Sequence, residues 1–94
     1  MKILRVFVLV KWGRIANSET PLMEVVGVYS TKTAAKERMA EEKEHIRNFF
    51  DEEYGEEDTE EYGECNESWG IQLEDSPVFH ELLITEKIVD SNEV

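Results

Sequence analysis

The stretch LMEVVGVYSTKTAAKERMAEEKEHIRNFF, Leu22–Phe50, decides the fold, because its hydrophobic pattern changes character partway along. Leu22 to Tyr29 is dominated by β-branched, aromatic and other apolar residues, the composition of a strand. Tyr29-Ser30-Thr31 is a boundary, where a hydroxyl at Ser30 is placed to cap the free amides of a helix opening with Lys32-Thr33-Ala34-Ala35. From there to about Phe50 helix formers dominate. Ala35, Met39, Ile46 and Phe50, with Phe49 beside them, fall on one face at helical spacing. That stripe has to be buried against a sheet. The charges opposite it, Lys36, Glu37, Glu41, Glu44 and Arg47, read as a solvated face with some i,i+4 pairing.

Working outward, Ile3 to Val10 is apolar except for Arg5, the run of a buried or central strand. Trp12-Gly13 ends it, and Ala16 to Pro21 is rich in turn residues, so the first two strands form a hairpin with a loop longer than the common two to five residues. Near the other end Trp69, Ile71 and Leu73 alternate with Gly70, Gln72 and Glu74, the period of a half-buried strand. Asp75-Ser76-Pro77 turns the chain, and Val78 to Val89 returns it as a long strand. A helical turn over Pro77–Leu83 is the alternative, since Ser-Pro suits a helix start. Residues 90–94 form a flexible tail. The expected fold is therefore α+β: one domain over residues 1–94, a four-stranded antiparallel sheet with one long helix packed on one face (ββαββ), and an acidic loop insert at 51–67 between the helix and the third strand.

The FVLVKW strand at Phe7–Trp12, the junction GVYSTKTAAKERM at Gly27–Met39 and the Trp-containing hairpin near the C-terminus together resemble a broad group of small proteins of unknown function from bacteria and their phages. The resemblance covers mainly residues 3–47. It implies a ββαββ fold and a mobile-element origin, and it supplies no active site. The acidic insert departs from the pattern.

A chain of 94 residues can bury enough surface to fold as one domain without disulfide or metal. Its single cysteine, Cys65, sits between Glu64 and Glu67, where like charge raises a thiol pKa, so it reads as a bystander in a reducing compartment. The N-terminal apolar run is broken by Arg5 and lacks a small-residue cleavage site, which marks it as a strand rather than a signal peptide. No segment has the length of a membrane span, so the expected location is the cytoplasm, with no membrane partner. The net charge of −12 is divided unequally. Residues 1–47 hold nine bases against six acids, and residues 48–94 hold Lys87 alone against sixteen acids. Such a dipole steers basic partners toward the acidic half and repels nucleic acid from it.

Within that half, residues 51–67 carry ten acids and no base, and the phrase Glu-Glu-Tyr-Gly-Glu occurs twice, at 52–56 and 60–64. Calcium in an EF-hand geometry fails on register. Starting at Asp58, glycine falls correctly at Gly63 but the fifth and twelfth positions are Tyr62 and Trp69; starting at Asp51, the sixth and twelfth are Glu56 and Tyr62. Charges along this stretch average one per about 5.6 Å if extended and about 2.5 Å if helical, against about 3.4 Å per phosphate along a DNA strand. Gly55 and Gly63 oppose a continuous helix by about 1 kcal/mol each, so only a short extension from Phe49 to Tyr54 survives and DNA mimicry by this stretch alone is marginal. Tyr54 and Tyr62 are amphipathic: each is either an anchor for a partner or a ring tucked under the insert.

No catalytic pattern is present. His45 and His80 lack a second ligand at metal spacing, Ser30 reads as a cap and Ser76 as a turn residue, and there is no nucleophile elbow or phosphate loop. The reading is a non-enzymatic acidic protein-binding module without cofactor or metal. Its partner-binding residues are Glu52, Glu53, Tyr54, Glu56, Glu57, Asp58, Glu60, Glu61, Tyr62 and Glu64, and the partner is a basic, nucleic-acid-binding protein surface. An inhibitor carried by a phage or mobile element against a host defence protein is its concrete form. The alternative is an assembly protein that forms a homodimer through a sheet edge, with the acids serving solubility.

Overall fold

The computed structural model describes residues 3–14, 22–55, 58–65, 67–74 and 76–90, with backbone alone for Ile3, Glu64, Cys65 and Asp90. Six elements follow in order: β1 (Ile3–Arg14), β2 (Leu22–Tyr29), α1 (Lys32–Tyr54), β3 (Thr59–Cys65), β4 (Ser68–Leu73) and β5 (Phe79–Asp90). The strands make one antiparallel sheet in the order β2-β1-β5-β4-β3, with α1 packed on one face. β1 and β5 pair over twelve residues, from Ile3 opposite Asp90 to Arg14 opposite Phe79. At about 3.4 Å per residue they form a central ribbon about 40 Å long.

The stripe on α1 is buried as its spacing requires: Ala35, Met39, Ile46 and Phe50 lie under Phe7 and Leu9 of β1, Trp69, Ile71 and Leu73 of β4, and Leu82 and Ile84 of β5. One position of the same stripe is polar. Glu42 is buried between Met39 and Ile46, where Arg38 Nη2 donates to its Oε1 at 2.9 Å and Lys11 Nζ approaches its Oε2 at 3.7 Å. Truncating a fully buried member such as Leu9 to alanine should cost about 2–5 kcal/mol, because transfer and cavity terms add.

Several boundaries differ from the sequence expectation. The helix cap is Thr31, not Ser30: Thr31 keeps an extended backbone (φ −130, ψ 151) and its hydroxyl accepts from the Ala34 amide at 3.2 Å. The helix does run on to Tyr54, the short extension expected past Phe50, and there Tyr54 packs against Phe49 and Phe50 at ring distances of 6.1 and 5.4 Å, giving its last turn an apolar contact. The sheet has five strands rather than four. β4 carries buried residues up to its outer side, and β3 satisfies the backbone groups there, pairing Thr59 with Leu73 through Tyr62 with Gly70. Acidic residues have low strand propensity, and here tertiary pairing overrides it. The insert is thus partly helix and partly strand. Pro77–Leu83 forms no helical turn, since Phe79 onward pairs with both β1 and β4. Asp90 closes β5, whereas the rest of the expected tail and the expected turn over 16–21 lie outside the described residues.

Candidate functional site

Strand alternation turns the acidic edge in two directions. Thr59 and Glu61 of β3 share the helix-bearing face with Leu73 and Ile71, whereas Glu60 and Tyr62 share the opposite face with Gln72 and Gly70. Glu61 is consequently engaged by the helix face while remaining partly exposed: its Oε1 accepts from Arg47 Nη2 at 2.6 Å and from the buried Trp69 Nε1 at 2.9 Å. The Arg47 hydrogen bond, and then the Trp69 one, hold its carboxyl below the usual range against the opposing effect of burial. Arg47 also stands over the Trp69 ring, 5.4 Å from its centroid.

Tyr62 is tied down on the other face. Its hydroxyl donates to Glu81 Oε1 at 2.6 Å, and its ring lies over Gly70, where an added Cβ would come within 2.5 Å of the ring. Burial, then that hydrogen bond, hold the phenol well above the ordinary tyrosine range. Gly63, at φ +66, then lets the strand bulge out of register before Cys65 rejoins Ser68. Both tyrosines therefore have partners within the domain. Glu52, Glu53, Asp58 and Glu60 are exposed around the end of α1 and the β3 edge, with Glu60 reached, among the described residues, only by Gln72 Nε2 at 3.4 Å. Glu56, Glu57 and the Glu64 side chain lie outside the described residues.

A second surface was not singled out by sequence reasoning. The face of the sheet away from α1 carries Leu4, Val6, Val8, Val10 and Trp12 from β1, Met23, Val25 and Val28 from β2, and Leu83 and Val89 from β5, as the pairing registers dictate. Nothing among the described residues covers it. Met23 is 74% exposed, Val28 59%, Val25 57% and Leu83 45%. On this face Val10, Trp12, Met23, Tyr62, Glu81 and Leu83 line a concave site of about 390 Å³, where Glu81 is the one charged wall among the described residues. The available signal was the unbroken apolar run of β1: strands that read as apolar on both sides are covered on both, and α1 covers one.

The histidines remain apart. His45 is exposed on α1; His80 lies beneath it, stacked on Phe49 at 5.7 Å, with neither ring nitrogen hydrogen-bonded among the described residues. Burial, then Lys11, lowers its pKa. Among the described residues no three His, Cys, Asp or Glu side chains converge to hold a metal ion, and no helix is long and apolar enough to cross a membrane.

These features define an α+β domain with one helix on a five-stranded antiparallel sheet, an acidic edge and an uncovered apolar face. No protein-family model, curated protein or solved structure matches the chain.

Proposed function

We propose that this protein is a non-enzymatic binding module whose acidic edge occupies a basic surface of another protein, of the kind that nucleic-acid-binding proteins expose. The supporting observation is the exposure of the acids: Glu52 and Glu53 on the last turn of α1, Asp58 just before β3, and Glu60 on β3, the outermost strand of the sheet, are all exposed. Between Arg47 and Lys87 the chain contains no base to neutralise them. A charged edge strand also discourages edge-to-edge pairing at that margin, which counts against self-association there. Long-range attraction, rather than a deep anchor, supplies the recognition, because Tyr54 and Tyr62 are engaged internally. A phage or mobile-element inhibitor that competes with nucleic acid is the form this takes if the resemblance of residues 3–47 reflects origin.

The test is capture of a partner from bacterial lysate, its identification, and binding of the purified pair. Replacing Glu52, Glu53, Asp58 and Glu60 together by Gln or Asn, with Glu61 left intact, should abolish binding without loss of helical circular dichroism. Affinity should fall with salt and duplex DNA should compete. Binding that survives the neutral variant, or ignores salt, rejects the proposal.

A further inference from the structure

We propose that the bare face of the sheet is covered by a second copy of this chain, stacked face to face about a two-fold axis that crosses β5 between Leu83 and Thr85. This goes beyond the acidic edge, which the stacking leaves exposed.

Charge argues for a copy of the same chain. The molecule as a whole carries −12 and should repel its twin, yet the charged side chains that the registers place on this face balance: Arg14 and Lys87 against Glu60 and Glu81. The order along β5 makes the balance self-complementary. Its outward residues are Phe79, Glu81, Leu83, Thr85, Lys87 and Val89. Reversing the strand about Leu83–Thr85 sets Glu81 over Lys87, Lys87 over Glu81 and apolar Phe79 over apolar Val89. The paired registers carry the same operation to β1, where Trp12 meets Val6 and Val10 meets Val8. Lys87 makes no ion pair within the described residues.

The dimensions agree. Stacked sheets lie about 10 Å apart, a gap that an extended lysine and glutamate bridge together. Glu81 and Lys87 each stand about 10 Å from the axis, where a stacking angle of about 30° displaces them sideways by about 5 Å, within lysine's reach. Because β3 and β4 flank only the Phe79–Leu83 end of β5, the axis leaves them without a counterpart; β1, β5 and part of β2 then share a footprint on the order of 450 Å², the size of a weak interface rather than the roughly 800 Å² per partner of a standard one. The continuous apolar run of β1 then has a cover on each side, as such runs require.

Sedimentation equilibrium of the full chain tests this. The wild type should dimerise at concentrations up to about 100 μM, and Leu83→Glu, on the exposed face, should be monomeric with unchanged circular dichroism. Lys87→Glu and Glu81→Lys should each weaken the dimer by about ten-fold or more, and the double exchange should recover most of that loss. Since Glu81→Lys also removes the Tyr62 hydrogen bond, Lys87→Glu, which touches no other described charge, keeps the test independent of folding. A wild type that stays monomeric at about 100 μM, a Leu83→Glu chain that still dimerises, or a double exchange no tighter than either single one overturns the proposal.

Discussion

Arg47 of α1 and Glu61 of β3 meet at 2.6 Å, and the same carboxylate oxygen accepts the indole N–H of Trp69 at 2.9 Å. One acid thereby ties the helix to the outermost strand and satisfies a donor on a side chain only 1% exposed. The Arg47 and Glu61 side chains are 36% and 33% exposed, so solvent screens much of their attraction. The indole supplies the larger stake. Glu61→Ala should cost about 1–3 kcal/mol by orphaning that N–H, while Glu61→Gln keeps an acceptor and should cost less. Urea unfolding at neutral pH measures the order. Because the folded pKa of Glu61 is depressed, its contribution is complete above the ordinary value of 4.5 and is lost as pH falls through the lower folded value.

Glu42 occupies an apolar position of the helix stripe with Lys11 and Arg38 around it. Glu42→Leu should leave stability unchanged or raise it by about 1 kcal/mol, since an apolar side chain replaces desolvated charge. Removing both cations instead, as Lys11→Met with Arg38→Met, should cost about 3 kcal/mol or more by stranding the carboxylate. Adding Glu42→Leu to that pair should restore most of the loss, and thermal melts of the four proteins decide it.

His80 packs against Phe49 and Phe50, and burial, then Lys11, lowers its pKa. A histidine whose folded pKa is lowered contributes fully above its ordinary value of 6.5 and costs stability as pH falls from there toward the folded pKa, because the unfolded chain takes up the proton first. Relative to His80→Phe, the wild type should therefore lose stability between pH 6.5 and the lower folded value. Parallel pH profiles for the two proteins would show that the ring is not buried as described.

Tyr62 should ionise only above the ordinary value of 10.0, and its contribution to stability, present below that pH, should disappear as pH rises through the folded value. The difference in tyrosinate absorbance between wild type and Tyr62→Phe isolates this group. Gly70→Ala forces the ring off its seat and should cost about 1–3 kcal/mol while moving the difference titration down in pH.

Local periodicity made much of the fold legible. The stripe Ala35, Met39, Ile46 and Phe50 and the alternation Trp69, Ile71, Leu73 are consequences of side-chain geometry within a single element, and the structure buries them accordingly. The pairing of β1 with both β2 and β5, and the bulge between Leu9 and Val10, depend on contacts between distant segments that no window of sequence contains. The open face was written in β1 all the same: Leu4, Val6, Val8, Val10 and Trp12 alternate with the residues that meet the helix face. Which of its two apolar sides the helix would take was decided only by the chain crossing.

The twice-written Glu-Glu-Tyr-Gly shows the limit most directly. At 52–55 it completes the last turn of α1, and at 60–63 it lies in β3. Propensity and charge are the same in both copies, so composition could establish only an acidic segment with two tyrosines. Tertiary surroundings separated them: Phe49 and Phe50 give the first tyrosine helical neighbours five and four residues back, whereas the free backbone of β4 and the Glu81 carboxylate give the second an extended one. A four-residue segment gains too little by itself to choose between helix and strand, and the contact that each conformation completes makes the choice.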